Sequence, residues 1–255
     1  QQVESGRRAF SSLPVSRPLT KGWFVSDIVE REAPPLEAVR EIRKVDGREA
    51  LWMFSGAQIS RAPLGRYGHR VCLKQAVGPP KSEDNPVLSL DYKVPSSSFT
   101  KDGRQCAYVW ITGHLKDEWT TNNDWHPNIP IEKFVPQWRL KYNLGVPVKD
   151  SFREQPGVFQ SGPVLDKWQT CRINVIEDLK KAYPEKDVSK VDSIVITLGV
   201  WNLGVAKKLA QRERVGVYWS NIKWTADGET RKGTSPGFDL LTASQIADLQ
   251  RDRRK

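Results

Sequence analysis

Apolar and polar positions alternate most cleanly in NPVLSLDYKVP, where Leu88, Leu90, Tyr92 and Val94 are separated by Ser89, Asp91 and Lys93. A period of two places the apolar set on one side, which predicts a strand with one buried face. RQCAYVWITGHL reads as the following strand. The loop between them contains Asp102-Gly103, so the two are expected to pair as antiparallel neighbours. Upstream, KGWFVSDI and HRVCLKQAV also read as strands. LEAVREIRKVDGREALWMFSG carries Asp46-Gly47, a dipeptide favoured in tight hairpins because both central residues need positive φ. A helix over 36–43 competes with that hairpin, since Leu36, Val39 and Ile42 recur at threes.

The last third predicts a strand in LDKWQTCRINV, a short helix or turn in IEDLKKAYPEKDV, an apolar strand in VDSIVITLGVW, a basic loop in KKLAQRE and a closing strand in RVGVYWSNIKWT. Ile194, Ile196 and Leu198 share one face of their strand, and Ile222 and Trp224 share a face of theirs. Thr242 with Gln245 resembles a capping box that opens a short final helix burying Ile246 and Leu249. Residues 1–21, rich in Ser, Arg and Pro, read as an extended N-terminal arm packing through Phe10 and Leu13. Residues 22–228 form one domain and 229–255 a C-terminal extension, with 251–255 a small basic cluster.

Residues 113–147 show little periodicity, and a loop of that length inside a domain is usually functional or disordered. Its aromatic content argues for function. It collects Trp119, Trp125 and Trp138 as platforms for the apolar face of a pyranose, with Asn122, Asn123 and Asp124 as partners for hydroxyls. His114, His126, Tyr142 and Arg139 are the groups available for acid–base work and for neutralising a carboxylate. Structural roles compete with each of these assignments: the indoles could pin the loop, and the histidines, His69 included, could be hydrogen-bonded bystanders.

Composition narrows the class. Seventeen Pro, eighteen Gly and ten Trp against one Met point away from helical bundles. No apolar run is long enough for a membrane-spanning helix. Forty Lys plus Arg against thirty Asp plus Glu leave a net charge of +10, which favours an acidic partner. Cys72, Cys106 and Cys171 lack zinc spacing; they are expected as small buried hydrophobes, with at least one free thiol from the odd count. A start at Gln-Gln without Met fits either removal of an export leader or trimming of the chain, and a secreted or periplasmic location is expected.

Trp168, Asp178-Leu179, Ile194-Val195-Ile196 and the run Tyr218-Trp219-Ser220-Asn221-Ile222 resemble the second half of jelly-roll domains in the galactose-binding-like group. That group includes carbohydrate-binding modules and the domain of complex I intermediate-associated proteins. The resemblance implies an all-β jelly-roll β-sandwich of two antiparallel sheets with short peripheral helices. Ser220-Asn221 departs from the acidic residue often found before the last Ile of the group.

The expected function is binding or processing of a polysaccharide, anionic by the charge balance. One alternative is a polysaccharide lyase that cleaves a uronate-containing glycan by β-elimination; its known strand motifs are absent here. The other is a non-catalytic assembly or interaction protein. Glycoside hydrolysis would need a carboxylate pair such as Glu118 with Asp124 or Glu132. No cofactor is expected, although the oxygens of Glu118, Asn122, Asn123 and Asp124 would suit a structural calcium. Nucleic acid is an unlikely partner, since no basic groove-reading helix is present. No phosphate loop, dinucleotide fingerprint, HExxH or GxSxG occurs.

Overall fold

Two hydrogen-bonded sheets face each other across a layer of aliphatic and indole side chains. The computed structural model describes residues 9–11, 23–30, 36–59, 66–77, 85–98, 104–115, 138–144, 157–160, 164–205, 211–226 and 229–230. Its strands are β1 (Ala9–Ser11), β2 (Phe24–Glu30), β3 (Leu36–Val45), β4 (Arg48–Ile59), β5 (Arg66–Val77), β6 (Val87–Lys93), β7 (Arg104–Leu115), β8 (Trp138–Leu144), β9 (Val158–Gln160), β10 (Gln169–Asn174), β11 (Val191–Val205), β12 (Gln211–Ala226) and β13 (Glu229–Thr230). One helix, α1 (Val175–Ala182), follows β10. The seven-stranded sheet runs β1-β2-β5-β11-β7-β8-β9; the other runs β10-β6-β12-β4-β3, with β13 added beside β12. Neighbours are antiparallel except β8 and β9, which are parallel. The chain crosses repeatedly between sheets, as expected of a jelly-roll sandwich.

Alternation decides what each strand buries. In β6, Leu88, Leu90 and Tyr92 point inward while Ser89, Asp91 and Lys93 are partly exposed. The central strand β11 buries both sides: Ile194, Ile196, Leu198 and Val200 enter the main core, and Val195, Thr197 and Trp201 on the opposite side are also buried. The inner layer meets Leu51 and Met53 of β4 and Val215, Val217 and Trp219 of β12. Each fully buried large apolar side chain of this kind contributes about 1.5–3 kcal/mol.

Several expectations are met and some are corrected. Asp46 (φ 50°) and Gly47 (φ 75°) make the β3–β4 hairpin turn, so the stretch 36–43 is strand rather than helix. Its threefold recurrence lost to cross-strand pairing with β4. The expected pairing of β6 with β7 does not occur: β6 lies between β10 and β12, whereas β7 lies between β11 and β8 in the opposite sheet. Sequence adjacency misled because in a jelly roll successive strands often change sheets. The stretch expected as an arm contains β1, which pairs with β2 at the sheet edge. The final capped helix lies outside the described residues, as do residues 207–210 of the expected basic loop KKLAQRE, whose last three residues, Gln211 to Glu213, are instead strand at the start of β12.

Residues 113–147 are also not loop throughout. Trp138, Leu140, Tyr142 and Leu144 alternate with Arg139, Lys141 and Asn143 to form β8. Helix α1 buries Val175 and Leu179, which are four apart and share a face. Among the described residues, no helix is long and apolar enough to cross a membrane.

Candidate outer face of the seven-stranded sheet

The register fixes which side chains stand on the face turned away from the core. Across β11 and β7, Thr197 pairs with Trp110 and Val195 with Thr112; across β7 and β8, Trp110 pairs with Lys141 and Thr112 with Arg139. Arg70 of β5 pairs with Trp201 of β11. Directly opposed residues share a face, so Arg70, Trp201, Trp110, Arg139 and Lys141 all lie on the outer side. Beneath them Tyr108 lies across Gly199, where a Cβ would stand 2.7 Å from the Tyr108 ring end and hydroxyl. The missing side chain lets the phenol lie flat on β11.

Trp110 is the hub. Its ring lies 4.7 Å from that of Tyr108 and 6.2 Å from that of Trp201, the latter edge-on at 83°. Arg70 reaches across β11 and places its Cζ 4.9 Å from the Trp201 ring centre and 4.7 Å from that of Trp110. From the other side, Lys141 Nζ stands 5.2 Å and Arg139 Cζ 5.7 Å from the Trp110 centre. Cations over an indole are attracted by its negative face. Here one ring gathers three of them.

Positive charge is crowded on this face. Burial, the Arg139 guanidinium and the Arg70 guanidinium together push the Lys141 amine down to about 8. Burial and Arg70 likewise lower Arg139. Among the described side chains of this face there is no carboxylate, and the described salt bridges lie on other strands. The buried Nε1 of Trp110 has no hydrogen-bond partner among the described residues. Arg139 and Lys141, half desolvated and repelled by one another and by Arg70, would be stabilised by a nearby anion.

Nucleophilic thiol chemistry finds no support. None of the three cysteines is in a disulfide, and burial pushes Cys106 and Cys171 up to about 12, so neither is a thiolate at neutral pH. His69 is buried between the sheets, with Nδ1 2.8 Å from Ser55 Oγ. Burial and the Arg40 charge lower it to about 4, which makes it a neutral hydrogen-bonded core residue at neutral pH.

Of the residues expected to form the site, Trp119, Asn122, Asn123, Asp124, Trp125 and His126 lie outside the described residues, as do Glu118 and Glu132. His114 stands on β7 opposite Ser193. Trp138 is 1% exposed and belongs to the core, so it is no platform for a saccharide: its inward phase on β8 decides that. Tyr142 also points inward, stacked on Phe159 at 4.8 Å and donating its hydroxyl to Asp178 Oδ2 at 2.7 Å. Arg139 reaches the outer face, while the side chain of His114 lies outside the described residues. Trp110, Trp201, Arg70 and Lys141 were missed. Their signal was in the sequence, as aromatic and basic residues at alternate positions of strands whose other positions are aliphatic. Among the described residues no three His, Cys, Asp or Glu come together as a metal set.

No family model and no curated protein matches the chain. Among solved structures it is similar to a family 11 carbohydrate-binding module of the cellulosomal cellulase Lic26A-Cel5E of Clostridium thermocellum. That match has 9% identity over 87% of this chain and 94% of the other, with a TM-score of 0.36. It is also similar to the xyloglucanase domain of NopAA, a type three effector from Sinorhizobium fredii in complex with cellobiose, at 12% identity over 83% and 100% of the two chains and a TM-score of 0.30. A third match is a Lotus tetragonolobus seed lectin, at 11% identity over 78% and 97%, with a TM-score of 0.29.

Proposed function

We propose that this β-sandwich binds an acidic polysaccharide on the outer face of its seven-stranded sheet. One observation carries the reading: Arg139 and Lys141 of β8 and Arg70 of β5 converge on the ring of Trp110. The half-buried indole would supply apolar surface for a sugar ring, and the cations partners for its charged substituent. Several such contacts along a chain would support micromolar binding, about 8 kcal/mol in total.

The test is retention in native gels cast with neutral glucans, polyuronates or sulfated polymers. Retention by the acidic polymers is expected to fall roughly tenfold when Arg139 and Lys141 are both replaced by Ala, and to weaken as salt screens the charges. Replacing Arg48, on the opposite sheet, should leave retention unchanged. Equal retention by neutral and acidic polymers, or no change in the double variant, would overturn the reading. Appearance of unsaturated, ultraviolet-absorbing ends during incubation with a polyuronate would assign β-elimination to the face instead of binding alone.

A further inference from the structure

We infer that Tyr108 and Gly199 act together as a strut that sets the tilt of the Trp110 ring. They are then positioning residues for glycan binding, although the fully buried phenol cannot itself touch a ligand. The inference rests on the glycan-binding reading above. It follows from one row of the register, in which Cys72 of β5, Gly199 of β11 and Tyr108 of β7 lie side by side on the outer face. Tyr108 reaches over the glycine toward Cys72. A Cβ at position 199 would stand 2.7 Å from the Tyr108 Cζ and hydroxyl and 2.9 Å from the Cys72 Cβ. Only a residue without a side chain leaves the phenol its bed on β11.

The consequence reaches Trp110 because its ring centre stands 4.7 Å from that of Tyr108, tilted by 39°. Carbon atoms in ordinary contact are about 3.5–4.0 Å apart, so an added methyl at 199 requires the phenol to move by roughly 1 Å. Cys72 closes the far end of the row and β11 lies beneath. A closely packed ring passes such a shift on to its neighbours. Trp110 holds its three cations at different margins: Arg70 Cζ at 4.7 Å, Lys141 Nζ at 5.2 Å and Arg139 Cζ at 5.7 Å. Attraction of a cation to an indole fades beyond about 6 Å. A small displacement of the ring therefore releases Arg139 first while Arg70 stays engaged. Binding sites work within about 0.5 Å of their productive geometry, so the strut decides whether the cations of β8 meet a ligand together with that of β5.

The experiment uses protein labelled with 5-fluorotryptophan and titrated with dextran sulfate and with polygalacturonate. The fluorine resonance of Trp110 is the one lost in Trp110→Phe, and those of the core residues Trp138 and Trp219 are assigned in the same way. Tyr108→Leu should shift the Trp110 resonance, leave the two core resonances in place, and weaken binding per folded molecule about tenfold. Gly199→Ala should do the same; where that variant does not fold, Tyr108→Leu decides. Tyr108→Phe, which keeps the ring, should rescue both the resonance and the affinity. Combining Gly199→Ala with Tyr108→Leu removes the clash, so stability in urea should recover while affinity stays low. A merely structural pair would change stability alone. An unmoved Trp110 resonance or native affinity in Tyr108→Leu would overturn the inference and leave the acidic-glycan reading standing. Loss of binding in Tyr108→Phe would give the role to the hydroxyl and would overturn it too. Binding of neither polymer by the wild-type protein would overturn the glycan reading, and the resonances would still decide whether Tyr108 holds Trp110.

Discussion

The two outer faces of the sandwich handle charge in opposite ways. On the six-stranded sheet, Asp91 accepts from Arg48 at 3.1 Å, from Thr170 at 2.7 Å and from Asn221 at 2.6 Å. Asp46 accepts from Lys93 at 2.8 Å and from the Trp168 indole at 2.9 Å, and these partners hold its carboxyl below the usual range. Arg43 pairs with Glu41 and lies over Trp52, which packs flat on Gly216. Arg43 and Arg48 on this face each stand beside both an acid and an aromatic ring. On the seven-stranded sheet Arg70, Arg139 and Lys141 gather instead around the ring of Trp110, and the described salt bridges do not include Arg139 or Lys141. A paired face supports the fold, whereas a cluster of like charges costs stability and persists where function uses it.

The comparison depends on the phase of β8, because slipping the strand by one residue would exchange its two faces. Trp138→Ala is the strongest test. It deletes a fully buried indole from the core and should lower unfolding free energy by about 3–5 kcal/mol in urea titrations, with glycan retention per folded molecule unchanged. Trp110→Ala should do the reverse, losing retention at a smaller cost in stability. A Trp138 variant of near-native stability that fails to bind would show that β8 presents its other side.

Much of the fold was legible because burial imposes period two. The alternation in β6 gave both its limits and its inward set, and Asp46-Gly47 gave the β3–β4 hairpin. Sheet membership was not legible, since Leu88–Val94 and Ala107–Ile111 carry the same pattern whether or not they are neighbours. The functional face was hidden for a related reason. WRLKYNL was absorbed into a long loop, so Trp138 was counted as a sugar platform when its alternation with Arg139 and Lys141 already separated core from surface. In Tyr108 and Trp110, outward aromatics looked like ordinary strand residues, because only the register across β11 and β8 brings them to Arg70, Arg139 and Lys141.

A smaller effect is expected from the paired face. Asp91→Ala removes one acceptor from three donors and should cost about 1–2 kcal/mol, discounted for the partial exposure of Arg48. Acidic-glycan retention should not change. A variant at Asp91 that weakens retention as much as one at Arg139 would erase the distinction between the faces.

The finest test is the pH response of Lys141, where stability and binding should move in opposite directions. Its amine is held at about 8 in the folded protein by burial, Arg139 and Arg70, and keeps the ordinary lysine range when unfolded. Between those values the unfolded chain holds the extra proton, so this residue's contribution to stability rises with pH and is lost again as pH falls through about 8. At neutral pH the ammonium therefore destabilises the fold, and Lys141→Met should raise the unfolding free energy in urea titrations slightly, by less than about 1 kcal/mol. Anion binding needs the charge that stability disfavours. Going from about pH 7 to about pH 9.5 should weaken retention of a sulfated polymer and steady the wild-type fold, and both slopes should flatten in Lys141→Met. If the variant keeps the wild-type pH dependence of retention, the ammonium over Trp110 is not part of the anion's cradle, and the contrast between the two faces rests on the arginines alone.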